Sequence, residues 1–123
     1  MRTVLIVDDD AGVRTLVRMT LEGSDYELLE ADDGRSALQL ARERRPDLVL
    51  LDVMLPDLSG IDICRAIKAD DDLAPVKVVM LSAKAQAADI SDAETVGADD
   101  YFTKPFSPLG LLDKVESMLG ASA

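Results

Sequence analysis

Short, mostly apolar runs in this chain end, one after another, on residues able to do chemistry. Asp8, Asp9 and Asp10 follow Val4 to Val7, Asp52 follows Leu48 to Leu51, Ser82 follows Val76 to Leu81, and Lys104 follows Tyr101 to Thr103. Carboxylates from separate strands crowded at one rim repel each other, so at least one must take up a proton at a raised pKa or the group must gather a cation. A hard divalent ion such as Mg²⁺ suits a few aspartate oxygens, a backbone carbonyl, waters and phosphate oxygens, without imidazole or thiolate. An aspartate among them can also act as a nucleophile and form an acyl phosphate when a metal and a lysine offset the charge of the transferring group. Asp52, central and preceded by an all-apolar strand, is the best-placed nucleophile, with Asp57 the nearest alternative.

Each of these residues also has a plainer reading. An aspartate behind a strand is most often a turn former or a helix N-cap, and Asp10 is placed to cap the first helix. Asp8 and Asp9 taken singly read as capping residues, Ser82 as a loop hydroxyl and Lys104 as a solvated charge. Their joint placement at successive strand ends favours the chemical reading. Asp70-Asp71-Asp72 and Asp99-Asp100 fall outside that pattern and are expected to serve loop solvation and capping.

Composition removes other classes of function. The chain has no histidine, which excludes Ser-His-Asp and Cys-His catalysis, imidazole metal ligands and a phosphohistidine carrier role. Thirteen basic against 24 acidic residues give a net charge of −11, which repels nucleic acid backbones and anionic lipid, so neither DNA nor a membrane is an expected partner. The single cysteine, Cys64, lies among Ile61, Ile63 and Ile67 and reads as a small core residue. Val4 to Val7 is too short for a signal sequence or a membrane span, and a cytoplasmic address is expected. Neither a G-x-G-x-x-G nor a G-x-x-x-x-G-K-[ST] loop is present, which argues against nucleotide binding.

The elements that must position these residues follow from the pattern. At 123 residues the chain has the size of one domain, taken as 1–123. Apolar runs predict five strands, near Thr3 to Val7, Glu27 to Glu30, Leu48 to Leu51, Val76 to Leu81 and Tyr101 to Thr103. The runs 4–7 and 48–51 are continuously apolar, as strands covered on both faces should be. Helical spacing predicts helices near Ala11 to Glu22, Gly34 to Arg44, Gly60 to Asp70, Ala87 to Val96 and Pro108 to Leu119. Alternating βα units of this kind form an α/β doubly wound parallel sheet with helices on both faces, flavodoxin-like, with strand order 2-1-3-4-5. In that order strands one, three, four and five are neighbours, so their carboxyl ends should bring the acids, Ser82 and Lys104 to one pocket.

The segments Val4 to Asp10, Leu50 to Gly60, Leu81-Ser82-Ala83 and Gly97 to Phe106 resemble the receiver domain of two-component response regulators, in order and spacing, across essentially the whole chain. Residue by residue, the resemblance implies that Asp52 is the phosphoacceptor and that Asp8 and Asp9 form the acidic pair supporting Mg²⁺. Asp9 would be the more direct ligand, with Asp52 and the backbone carbonyl of Met54 completing the protein's share. Ser82 takes the switch hydroxyl position, Lys104 that of the phosphate-binding lysine and Tyr101 that of the aromatic switch, and a cis peptide is expected between Lys104 and Pro105.

The function so implied is a signalling switch rather than an enzyme. It would accept a phosphoryl group from a sensor histidine kinase or a histidine phosphotransfer protein. The face made by the helix near 87–96, the fifth strand and the last helix would change and control a downstream protein or output domain. The chain has no room for an output domain, so it is expected to be either a stand-alone receiver or the receiver part of a longer regulator. A phosphorylation-dependent homodimer is a further expected partner. For the pairing seen in receivers joined to winged-helix domains, the chain keeps Asp89 and Lys114 but has Ile90 in place of a base and Leu109-Gly110 where a basic–acidic pair is usual. Two other functions compete. A phosphatase resembling the haloacid dehalogenase family would carry an aspartate two residues after its nucleophile, where this chain has Met54. A receiver-like scaffold that binds partners without phosphorylation would not need the full set of acids, hydroxyl and lysine.

Overall fold

The computed structural model describes residues 2–82, 96–103 and 107–119, and of Ser82 the backbone alone. In chain order its elements are β1 (Arg2–Val7), α1 (Ala11–Leu21), β2 (Tyr26–Ala31), α2 (Gly34–Arg44), β3 (Leu48–Asp52), α3 (Gly60–Ala69), β4 (Lys77–Ser82), β5 (Asp100–Thr103) and α4 (Pro108–Leu119). The strands make one parallel sheet in the order β2-β1-β3-β4-β5, the order expected from the βα alternation. Residues 83–95, where a further helix was predicted, lie outside the described residues, as do Lys104 and the Lys104–Pro105 peptide.

The apolar runs in β1, β3 and β4 explain their central places. Side chains alternate across a strand, so an all-apolar strand must be covered on both faces. Leu5, Val7, Val49, Leu51, Val78 and Met80 point to one side and pack with Ala37 and Ala41 of α2 and with Ile63, Cys64 and Ile67 of α3. Val4, Ile6, Leu48, Leu50, Val79 and Leu81 point to the other and pack with Val17 and Leu21 of α1 and with Leu111, Val115 and Leu119 of α4. At roughly 25 cal/mol per Å² of apolar surface removed from water, these two layers dominate the stability of the fold.

Helix starts are fixed by side-chain caps. Asp10 accepts from the backbone N–H groups of Gly12 and Val13, Asp33 from Ser36 and Ser59 from Ile61. Asp10 is thus the cap that its position suggested. Cys64 is buried, and burial is the main reason its thiol is pushed up to about 11, so it is the inert core residue expected.

The acidic pair after Gly97 departs from the expectation of loop solvation and capping. Lys68 Nζ lies 2.9 Å from Asp99 Oδ2, which also accepts the Val78 N–H at 2.8 Å, tying α3 to the start of β4. Lys114 Nζ lies 2.8 Å from Asp100 Oδ2, joining α4 to β5. Asp100 is the first residue of β5. These carboxylates face lysines held by the helices that flank them, contacts between elements that sequence spacing does not show. Among the described residues, no helix is long and apolar enough to cross a membrane.

Candidate functional site

The parallel register carries β1 and β3 to the same rim. Val7 pairs with Leu51, so Asp8 and Asp52 are the next residues on neighbouring strands. Both side chains are buried, Asp8 fully and Asp52 to within 7% exposure, and they are the only buried polar or charged residues among those described. Burying two carboxylates side by side is costly, and such groups are tolerated where opposite charge and hydrogen bonds offset them. Asp9 adds a third, exposed carboxylate, and one oxygen from each of Asp8, Asp9 and Asp52 falls within a span of 4.8 Å.

Local bonds set these acids in place. Asp8 donates its N–H to the Ala31 carbonyl at 3.2 Å, prolonging the β1–β2 ladder, and its Oδ1 accepts the Asp10 N–H at 3.0 Å. Arg14 Nη1 donates to the Asp8 carbonyl at 2.7 Å while its Nε meets Glu30 at 3.3 Å. The turn after β1 is therefore held from the β2 side, a role for Arg14 that the strand-end pattern did not reveal. The Met54 N–H approaches Asp52 Oδ1 at 3.3 Å, and Met54 and Ser59 form an antiparallel bridge that closes the β3–α3 loop. Met54 is 78% exposed, at the mouth of the site.

The donor set fits a hard cation. All three side chains offer oxygen, and the three ligand oxygens lie within 4.8 Å of one another, near enough to share one Mg²⁺, which takes oxygen ligands at about 2.1 Å. Among the described residues, the carboxylate cluster includes no cysteine or histidine of the kind that would favour zinc.

The other expected site residues stand as follows. Asp52 pairs with Leu81 and Ser82 with Thr103, so the Ser82 backbone sits one step beyond the partner of Asp52 on the adjacent strand. The Ser82 side chain and Lys104 lie outside the described residues. Tyr101 pairs with Met80 in β5, is half-buried, and packs against the α2/α3 side of the core. Asp57, the alternative nucleophile, does not join the cluster. Its carboxylate accepts the backbone N–H groups of Gly34, Arg35 and Leu58, and the Gly34 bond foremost holds it below the usual carboxylate range. A groove of about 510 Å³ lined by Arg14, Glu30, Asp32, Ser36 and Glu43 runs along the β2 edge instead of at the carboxylates. It lacks buried, converging groups of the kind that Asp8 and Asp52 present, so the cluster is the better site.

Comparisons with known proteins agree with this geometry. Residues 4–116 match the family described as the response regulator receiver domain. The chain is 42% identical over 118 residues to the phosphate regulon transcriptional regulatory protein PhoB of Pseudomonas aeruginosa, covering 96% of this chain and 52% of that protein. It spans about half the length of the curated relatives it matches. Among solved structures it superposes on the chemotaxis response regulator CheY4 of Vibrio cholerae with a TM-score of 0.90, at 31% identity over 96% of this chain and 98% of that one. It also matches the BeF3-activated receiver domain of DrrB, a Thermotoga maritima OmpR/PhoB homologue, with a TM-score of 0.88 at 34% identity over 97% of both chains. Parallel sheet, acidic rim and sequence together place this chain in the receiver domain family of two-component response regulators.

Proposed function

We propose that this chain, as one domain over residues 1–123, is a cytoplasmic phosphorylation switch. It receives a phosphoryl group on Asp52 from a sensor histidine kinase or histidine phosphotransfer protein and relays the change to a downstream protein or output domain. The observation that carries the reading is the clustering of Asp8, Asp9 and Asp52 at the carboxyl ends of β1 and β3, with two of the three buried. Ligands in open α/β sheets bind at this edge.

A carboxylate oxygen of Asp52 attacks phosphorus in line as the P–N bond of the donor phosphohistidine breaks, giving an acyl phosphate and a free imidazole. Mg²⁺, when bound by Asp8, Asp9, Asp52 and the Met54 carbonyl, would offset the charge gathered on the phosphoryl oxygens. Asp8, fixed by the Asp10 N–H and by Arg14 on its carbonyl, keeps its carboxylate aimed at this point. Family resemblance gives Lys104 the task of pairing with the phosphoryl group and Ser82 that of donating its hydroxyl to it. The phosphoryl group adds about two negative charges and three acceptor oxygens, enough to draw in both groups. Movement at Ser82, at the end of β4, would be read out by Tyr101 on the adjoining β5. The chain thus acts as a regulator that takes part in its own phosphotransfer rather than as an enzyme acting on other substrates.

Beryllofluoride stands in for the phosphoryl group, and the DrrB receiver is named as activated by it. NMR of this chain with Mg²⁺ and beryllofluoride should shift the amides around Asp52, Ser82 and Tyr101 together, and Asp52→Asn should abolish all of these shifts. A wild-type spectrum unchanged by the reagent would contradict the switch and favour a phosphorylation-independent scaffold.

A further inference from the structure

Asp57 sits in the loop that follows the phosphoacceptor and reaches across to a helix 23 residues earlier in sequence. Its Oδ1 accepts the Gly34 N–H at 2.7 Å and the Leu58 N–H at 2.9 Å, and its Oδ2 accepts the Arg35 N–H at 3.1 Å. Gly34 and Arg35 open α2, and the next N–H, of Ser36, is taken by Asp33 at 2.7 Å. The start of α2 is therefore held by two carboxylates, one local and one from the loop beside Asp52. Carboxylates at a helix N-terminus are stabilising, and Asp33 already serves the purpose of a local cap. The second carboxylate does something the first does not: it fastens the loop to the helix. The Arg35 guanidinium, 3.9 Å away and 85% exposed, adds little to this tie.

Packing supports the same connection. A Cβ at Gly34 would stand 2.8 Å from both Leu58 Cβ and Ile63 Cδ1, so helix and loop touch with no room to spare. The far ends of the loop are bound to the site. Met54 bridges to Ser59, the Gly60 N–H donates to the Val53 carbonyl at 2.8 Å, and the Met54 N–H meets Asp52 Oδ1. Residues 53–59 form a closed loop with its ends on Asp52 and its tip on α2.

We propose that Asp57 is a positioning residue for the chemistry at Asp52: by gripping the N–H groups of Gly34 and Arg35 it sets the loop that carries the Met54 carbonyl, and so presents that carbonyl to the divalent cation. This rests on the reading of Asp52 as a Mg²⁺-dependent phosphoacceptor. It also makes α2 a part of the site's support.

The test uses the full chain with Asp57→Ala, Asp57→Asn and, as a control, Asp33→Ala, which removes the local cap of α2 and leaves the loop tie. Mg²⁺ affinity and the rate of labelling by acetyl phosphate are measured beside the Tm. Asp57→Ala should weaken Mg²⁺ binding and slow labelling by about tenfold or more, the size of effect seen when groups supporting a metal ligand are lost. Asp57→Asn keeps an oxygen for the Gly34 N–H and should recover most of both. Asp33→Ala should lower the Tm and leave both unchanged. Wild-type affinity and rate in Asp57→Ala would overturn the proposal, as would a folded Asp57→Asn as impaired as Asp57→Ala, since that would make charge and not position the cause. If Asp57→Ala does not fold, Asp57→Glu decides: it keeps the charge but lengthens the tie by a methylene, so weakened Mg²⁺ binding supports positioning and wild-type binding refutes it. Failure of the underlying reading is seen separately, as a wild-type chain that takes no label with Mg²⁺ present.

Discussion

Gly60 lies against the backbone of Asp52. A Cβ added at Gly60 would overlap the Asp52 carbonyl oxygen and stand 2.9 Å from the carbonyl carbon. Both atoms belong to the main chain, so no side chain can swing away to make room. The first residue of α3 and the last of β3 are thus in direct backbone contact, and the position of Asp52 is set partly by the absence of a side chain eight residues on.

Gly60→Ala should therefore cost about 3 kcal/mol of stability, at the upper end for overpacking, because backbone must shift. The same shift should displace Asp52 and slow its labelling by acetyl phosphate. Urea unfolding and labelling rate measured on one preparation would check both effects, and a stable variant with wild-type labelling would show that the contact is relaxed in solution.

Asp9 is the exposed member of the carboxylate cluster, so its removal should leave the core intact. Asp9→Ala is expected to bind Mg²⁺ at least about tenfold more weakly, since a site that keeps several waters relies on few carboxylates. Titration followed by NMR of the Asp52 and Met54 amides reports it. Chelation of Mg²⁺ with EDTA should stop labelling of the wild type for the same reason. Unchanged affinity in the variant would remove Asp9 from the ligand set.

Asp100 gives a pH dependence with a definite sign. Its partial burial raises the carboxyl pKa, but the Lys114 ammonium and the Tyr101 N–H outweigh it, and the net value lies below the ordinary one. A depressed folded-state pKa contributes stability that is present above the unfolded value, about 3.9, and is lost as pH falls through the folded value. Stability should then fall on acidification below about pH 4, with a shallower slope in Asp100→Asn. Thermal unfolding across that range tests this, and an identical slope in the variant would deny the Lys114 pair its role.

Arg45 ends α2 with φ at 45°, in the left-handed region that costs an L side chain more than glycine. Arg45→Gly should raise stability by about 0.5 to 1 kcal/mol, because the ion pair lost among the described residues, to Asp72 at 3.9 Å, joins two exposed side chains. A lower Tm in the variant would give that pair more weight than its exposure allows.

The sheet was legible from the sequence because Val4 to Val7 and Leu48 to Leu51 are apolar at every position, and only central parallel strands with both faces covered need that. The acidic rim was legible for a related reason. Strand order places Asp8 next to Asp52 once the register is known, and the register follows from the runs themselves. What the sequence hid were side-chain ties between elements: Asp57 on the start of α2, Lys68 on Asp99 and Lys114 on Asp100 across long stretches of chain, and Arg14 on the Asp8 carbonyl within the first turn region. A charged side chain facing a partner 14 to 31 residues away leaves no periodic trace. Pro56 and Gly60 bracket Asp57 in the sequence, and a carboxylate inside a loop so punctuated is a candidate for a long-range cap.

The central claim is that Asp52 takes up the phosphoryl group, and the most direct measurement is peptide mapping by mass spectrometry after labelling with acetyl phosphate and Mg²⁺. Borohydride reduction of the acyl phosphate marks the residue that carried it. The mark should appear on Asp52 alone and vanish in Asp52→Asn. A mark on any other carboxylate of the wild type, or an adduct that persists in Asp52→Asn, would contradict the account.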